Sequence, residues 1–135
     1  MKILILTDGI TPFDKGGMQR HSQLMAEYLA RLGHSLTIYH CVEVDGVEST
    51  NLSRAFSPEA ASNIELVTID YQDNGKFPGH YVRAQKRLSK AYFEHVLKAE
   101  KEYDFIYTKG FVGWELLHKR NELKFKSPIG VKFHG

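Results

Sequence analysis

The stretch DKGGMQRH, residues 14–21, sets two adjacent glycines ahead of Gln19, Arg20 and His21, between an apolar run and a segment of helical periodicity. A helix N-terminus offers backbone N–H groups with no partner inside the helix, and the helix dipole adds positive potential there. Together they favour an anion. Glycine carries no Cβ to hold phosphate oxygens away from that backbone. Gly16 and Gly17 are therefore a candidate phosphate seat, with a plain flexible turn as the alternative. Two nucleotide motifs do not fit. A dinucleotide fingerprint needs its glycines in a tight turn directly after the strand, but ITPFDK separates Gly9 from the pair. A P-loop needs Lys-Ser/Thr where Met18-Gln19 stand.

The elements that must position these residues alternate regularly. KILILT (2–7) is a continuous apolar run, as expected of a strand covered on both faces. Leu24, Met25, Tyr28, Leu29 and Leu32 then recur at helical spacing, and Gly33 stands where a C-terminal cap belongs. SLTIYH (35–40) and IELVTI (64–69) read as further strands, separated by a polar stretch with a turn at Asp45-Gly46; QDNGKFPG (72–79) reads as loop. Tyr81, Ala84, Leu88, Tyr92, Val96 and Ala99 share one face of a long helix over 80–101. DFIYTKG (104–110) is a buried strand. Phe111, Trp114 and Leu117 read as the inner face of a short helix, with Trp114 a core anchor, and IGVKFHG (129–135) is a last strand.

This order predicts an α/β fold, a Rossmann-like three-layer sandwich with a parallel sheet and right-handed crossovers. Ligands of such sheets bind at the carboxyl ends of the strands. Here those ends are Thr7-Asp8-Gly9, His40-Cys41, Lys109-Gly110 and His134-Gly135. The last strand has no helix after it, so the pattern reads as a domain truncated at its C-terminus.

Composition narrows the function class. The 135 residues make one domain, with 18 Lys+Arg against 16 Asp+Glu and a formal charge of +2, which does not indicate nucleic acid. The single cysteine, Cys41, excludes an internal disulfide and fits a reducing, cytoplasmic compartment. Seven histidines lack H-x-H or H-E-x-x-H spacing, so no metal is expected. Arg83, Lys86, Arg87 and Lys90 form a basic stripe on the long helix, with Phe93 and Leu97 near it. The stripe reads as a solvated face or as a peripheral contact with anionic lipid at the inner membrane face. Asp8 and Asp14 stand near the glycine pair as possible bases, whereas Asp104 precedes a strand at the wrong edge and reads as a turn residue.

The first strand, its long loop, G-G-x-Q-x-H opening a helix and then LARLGHSLTIY resemble the amino-terminal domain of GT-B glycosyltransferases, and the likeness runs on through YDFIYTKG to GVKFHG. It is strongest to the family 4 retaining enzymes, which include phosphatidylinositol mannosyltransferases and lipopolysaccharide glucosyltransferases. The resemblance implies transfer of a sugar from a nucleotide-diphosphate donor to a lipid or saccharide hydroxyl, without a metal. It implies Gly16 and Gly17 against the donor diphosphate, Gln19 and Lys109 on the acceptor side, and His134 as the catalytic contact to the transferred sugar or its phosphate. Lys15 stands one position away from the lysine of glycogen-synthase-like enzymes and receives no donor role. The resemblance also implies that residues 1–135 are the acceptor-side half, with a separate nucleotide-binding domain carrying a Glu-x7-Glu motif. The alternatives are a nucleotide-binding oxidoreductase domain and a non-catalytic flavodoxin-like interaction module.

Overall fold

The structure is a computed structural model and describes residues 1–10, 17–42, 51–70, 80–123 and 126–132. Asp14, Lys15, Gly16, the Asp45-Gly46 turn, the 72–79 loop and His134 lie outside the described residues. In chain order the elements are β1 (Lys2–Leu6), α1 (Gly17–Arg31), β2 (Ser35–Val42), α2 (Leu52–Ala55), α3 (Pro58–Ala61), β3 (Ile64–Asp70) and α4 (His80–Ala99). Then come β4 (Phe105–Lys109), a 3₁₀ turn (Gly110–Gly113) that runs into α5 (Trp114–His118), a second 3₁₀ turn (Arg120–Glu122) and β5 (Ile129–Lys132). The strands form one sheet in the order β3-β2-β1-β4-β5, every neighbouring pair parallel. This is the Rossmann-like α/β fold that the alternating pattern predicts.

Alternation along β1 shows why both faces must be covered. Ile3 and Ile5 pack with Ala26, Ala30, Ile38 and Phe56 in the layer of α1, α2 and α3. Leu4 and Leu6 pack with Leu88, Tyr92, Val96 and Leu116 in the layer of α4 and α5. A strand with no polar face has no other stable place. Chain order reverses direction at β1: β2 and β3 extend the sheet to one side, β4 and β5 to the other. The carboxyl ends of β1 and β4 therefore flank a topological switch point, where sheets of this kind leave a crevice.

The polar stretch before β3 holds two short helices that periodicity does not reveal. Their signals are caps. Asn51 Oδ1 accepts from the Ser53 N–H at 3.1 Å, and Ser57 Oγ accepts from the Ala60 N–H at 3.3 Å, with Pro58 at the first helical position. Gly33 ends α1 as expected, at a left-handed φ of 97° with the His34 N–H donating to the Leu29 carbonyl at 3.2 Å.

Three inner faces differ from the sequence reading. On α1 the residues turned to the sheet are Ser22, Ala26 and Ala30, with Met25 and Leu29 half-buried; Leu24 and Leu32 are exposed and Tyr28 is 65% exposed. Small side chains let the helix sit close on the sheet, and two hydrogen bonds fix its rotation. Ser22 Oγ meets Thr7 Oγ1 at 3.1 Å, and Gln23 Nε2 donates to the Ala55 carbonyl at 2.7 Å. After β4, Phe111 and Trp114 are each 52% exposed, while Val112, Gly113 and Leu116 face inward. Trp114 is no core anchor. Gly110 takes a left-handed φ of 61° and the chain starts as a 3₁₀ turn, which shifts the helical phase. Gly113 then presses on β4, where a Cβ would lie 2.6 Å from the Thr108 Cβ. On α4, Ser89 and Phe93 join the buried face and Ala99 is exposed. No helix among the described residues is long and apolar enough to cross a membrane.

The Gly113 contact gives a direct test of this packing. Thr108 Cβ sits on the backbone of a central strand and cannot swing aside, so Gly113→Ala should lower unfolding free energy in urea by roughly 1–3 kcal/mol. Unchanged stability would mean that the 3₁₀ turn does not depend on this close approach.

Candidate functional site

The switch point concentrates basic side chains. Lys109 closes β4 and Lys132 closes the described part of β5, and the two are register partners in adjacent parallel strands. Alternation sends both to the α1 side of the sheet, since Phe105 and Tyr107 of β4 pack in that layer. Like charges opposite each other in a sheet are unfavourable. Here His21 of α1 stands between them. Its Nδ1 lies 2.6 Å from Lys109 Nζ and its Nε2 lies 3.5 Å from Lys132 Nζ. His21 reaches them because Ser22, its neighbour, is the residue that α1 turns onto Thr7.

Lys109 is 1% exposed although it carries an ammonium group. Burial pushes its pKa down from 10.5 to about 8; Lys132 pushes the same way and Asp8, just past β1, opposes them. Thr7 anchors the same edge, donating to the Gly9 carbonyl at 3.1 Å and accepting the Tyr92 hydroxyl at its own carbonyl at 2.6 Å. His40, at the end of β2, is fully buried, with Nε2 2.9 Å from Thr68 Oγ1. Burial lowers its pKa to about 4, so it is a neutral core residue near pH 7. Cys41 is partly buried against the core.

The residues singled out from sequence are brought together only in part. Gly17 opens α1 on the carboxyl edge, and a Cβ added there would meet no atom within 4 Å. Gln19 is half-buried in the same turn. Gln19 and His21 are two positions apart, about 200° around a helix, so they occupy different flanks of α1. It is His21 that meets Lys109. Gly16 and His134 lie outside the described residues. Asp104 sits at the opposite, amino edge, where its Oδ2 accepts from the Lys2 N–H at 2.8 Å. Arg83, Lys86, Arg87 and Lys90 stand exposed along α4, but Phe93, expected beside them as a lipid-facing residue, is buried in the core.

Sequence reasoning passed over Lys132 and gave His21 no role of its own. Both carried a signal: two apolar strands each reach the same edge through a lysine, FIYTK and IGVK. Once those strands are neighbours, a histidine one residue before the inward Ser22 points at the pair.

No protein-family model matches the chain, and no curated protein matches its sequence. Solved structures do match. A UGT transferase from Siraitia grosvenorii, crystallised in complex with UDP, aligns at a TM-score of 0.64 with 15% identity, over 96% of this chain and 27% of the transferase. This chain thus spans about a quarter of that protein. The C-terminal domain of a hydrogenase from Pyrococcus furiosus aligns at TM-scores of 0.58 and 0.55 in two crystal structures, with 16% and 17% identity. Each covers 97% of this chain and 90% of that domain. Likeness at such identity establishes the fold and leaves function to the site.

The buried lysine should leave a mark on stability. Its folded pKa, about 8, lies below the ordinary 10.5, so between these values the unfolded chain binds more protons and stability rises with pH. Below about pH 8 the cost of the buried charge is fully present. Burial holds Tyr39 and Tyr92 well above 10, which opposes the trend above pH 10, so the clean window ends at roughly pH 9.5. Lys109→Met should be more stable than the parent at pH 7 and should lose the upward slope, read from urea unfolding across that window. A parent curve that falls from pH 8 to 9.5 would contradict the buried-charge account.

Proposed function

We propose that this chain is the acceptor-side half of a glycosyl-transfer site, one Rossmann-like domain of a GT-B enzyme of the retaining, metal-independent kind. The observation that carries this reading is the carboxyl edge of the sheet. There the start of α1 at Gly17 and the Lys109–His21–Lys132 cluster meet at the topological switch point. A departing nucleotide diphosphate needs positive potential and backbone N–H groups, and a helix start beside two lysines is suited to offer both. The UDP complex of the structurally similar transferase supports the same ligand class.

In this reading Gly16 and Gly17 lie against the donor diphosphate and His134 contacts the transferred sugar or its phosphate, as the sequence resemblance implies. Gln19 and Lys109 belong to the acceptor side, and the nucleotide itself is held mainly by a second domain. The chain supplies electrostatic stabilisation of the leaving diphosphate and orientation of the acceptor hydroxyl, while the second domain closes the other wall of the cleft. A second reading, a domain of an oxidoreductase, is favoured by the hydrogenase domain, which this chain matches over nearly its whole length.

Titration of the ¹⁵N-labelled chain separates the readings. UDP and UDP-glucose should shift the amides of Gly17, Gln19 and Lys109 at millimolar concentration, and NAD should not. No UDP should be released from UDP-glucose, since half a cleft does not turn over. Shifts with NAD alone would favour an oxidoreductase domain, and no shifts with any nucleotide would overturn the transferase reading.

Gly17→Val supplies the matching mutation. The open space around Gly17 means the variant should fold with stability close to the parent, while its two methyls stand where diphosphate oxygens approach. The UDP-induced shifts should be lost. Their persistence in Gly17→Val would move the phosphate seat elsewhere.

A further inference from the structure

Phe111, Trp114 and His118 make one exposed row along the 3₁₀ turn and α5, three and four residues apart. Gly113 lies on β4 and Leu116 is fully buried, so the phase of this segment leaves the Trp114 indole 52% exposed. The row stands next to α4, and two contacts fix the register of the two helices. The Glu115 N–H donates to Ser89 Oγ at 2.7 Å. One turn further along both helices, Lys119 Nζ sits 5.7 Å from the centroid of the Phe93 ring. The helices therefore run side by side, with the start of α5 level with Ser89. Lys90 is the next residue of α4, and Lys86 precedes it by one turn on the same side. The outer faces of α4 and α5 thus form one continuous surface.

That surface is basic as well as aromatic. Lys86, Arg87 and Lys90 are exposed, and α4 carries no Asp or Glu from His80 through Phe93. On α5 the Glu115 carboxylate is largely buried and paired with Lys119 at 2.8 Å. Flexible cations beside an indole match the interface of an anionic bilayer. The cations reach headgroup phosphates, while the indole suits the headgroup layer with its N–H kept in the polar zone. Nucleic acid also takes cations and aromatic rings, but it follows a groove, whereas the outer faces of two packed helices make a ridge. Phe93 faces the core, so α5, and not the basic helix itself, supplies the apolar member.

We propose that the outer faces of α4 and α5 dock this chain on an anionic lipid surface, with Lys86, Arg87 and Lys90 against headgroup phosphates and Trp114 seated in the interface. Neither half suffices alone: the cations give attraction that salt screens, and the indole gives a single apolar anchor. The docking surface goes beyond the transferase reading and does not rest on it.

The test uses the 135-residue chain with vesicles of phosphatidylglycerol and phosphatidylcholine in equal parts, and with vesicles of phosphatidylcholine alone. Trp114 is the single tryptophan, so its fluorescence reports the proposed contact directly. The mixed vesicles should bind the chain, shift the indole emission to the blue and protect it from acrylamide; phosphatidylcholine should do neither. Raising salt to about 0.5 M should weaken binding at least about tenfold. Lys86→Gln combined with Lys90→Gln should lose about 25-fold, at about fivefold for each charge near the surface. Trp114→Ala should lose about tenfold, and Trp114→Phe should restore most of it. Lys98→Gln, about 12 Å beyond Lys90 along the helix axis, should stay within about twofold of the parent. Thermal melts matching the parent establish that each variant folds. Equal binding to phosphatidylcholine, an unshifted indole on the bound chain, or an equal loss in Lys98→Gln would overturn the docking surface. Tighter binding of polyuridylate than of the mixed vesicles would assign the surface to nucleic acid and overturn the lipid partner. UDP-induced shifts without vesicle binding would remove the membrane contact alone, and vesicle binding without those shifts would remove the transferase reading alone.

Discussion

The carboxyl end of β1 is held from both layers at one residue. The Tyr92 hydroxyl of α4 donates to the Thr7 carbonyl at 2.6 Å, and Ser22 Oγ of α1 meets Thr7 Oγ1 at 3.1 Å from the opposite side. All three residues are almost completely buried, so each bond stands in place of a costly unsatisfied group. The bond to Ser22 sets the rotation of α1 about its axis, and thereby which residue of that helix faces β4 and β5. The bond to Tyr92 ties the same strand end to the layer behind. Every feature of the candidate site, from Gly17 to the His21 ring, is placed relative to this node.

Around the node the structure departs from what stability alone would choose. Lys109 and Lys132 are register partners of like charge, and one of them is buried with its pKa pushed down to about 8. At the amino edge of the sheet the groups are satisfied in the ordinary way, with Asp104 accepting from the backbone N–H of Lys2 and Lys101 ion-paired to Glu65 at 2.5 Å. Violations of local preference concentrated at one end of a sheet single that end out as the candidate site. A transferase and a hydrogenase domain share the fold, so that asymmetry, rather than the sheet, distinguishes a function.

The sheet was legible in the sequence because its strands are short apolar runs with both faces buried, a pattern that depends only on local composition. KILIL and FIYTK illustrate it. What depends on three-dimensional neighbours was not legible. The helices at 52–55 and 58–61 are each a single turn, too short for periodicity, and only their Asn51 and Ser57 caps betray them. The inward side of the segment after β4 follows from Gly113 lying on Thr108, a contact across elements that no spacing encodes. In the site, Lys109 was found because it ends a strand. Its pairing with His21 and Lys132 requires both the strand order and the rotation of α1, which are tertiary facts.

The rotation of α1 shows how packing and chemistry are joined. Leu24, Tyr28 and Leu32 repeat every four residues, and amphipathicity alone would turn them inward, each worth roughly 1.5–3 kcal/mol if fully buried. His21 lies on that same stripe, three residues before Leu24. Burying the stripe would carry the imidazole under the helix, away from the lysines and into the layer of Ile3 and Ile5. The observed rotation instead turns in Ser22, Ala26 and Ala30, whose small side chains let the backbone approach the sheet closely. Close approach gains dispersion contacts along the helix and satisfies Thr7 and Ser22 at once. It also leaves His21 on the flank, between two strand ends that each carry a lysine. The exposed apolar stripe and the Lys109–His21–Lys132 cluster at the carboxyl edge are thus two consequences of one rotation.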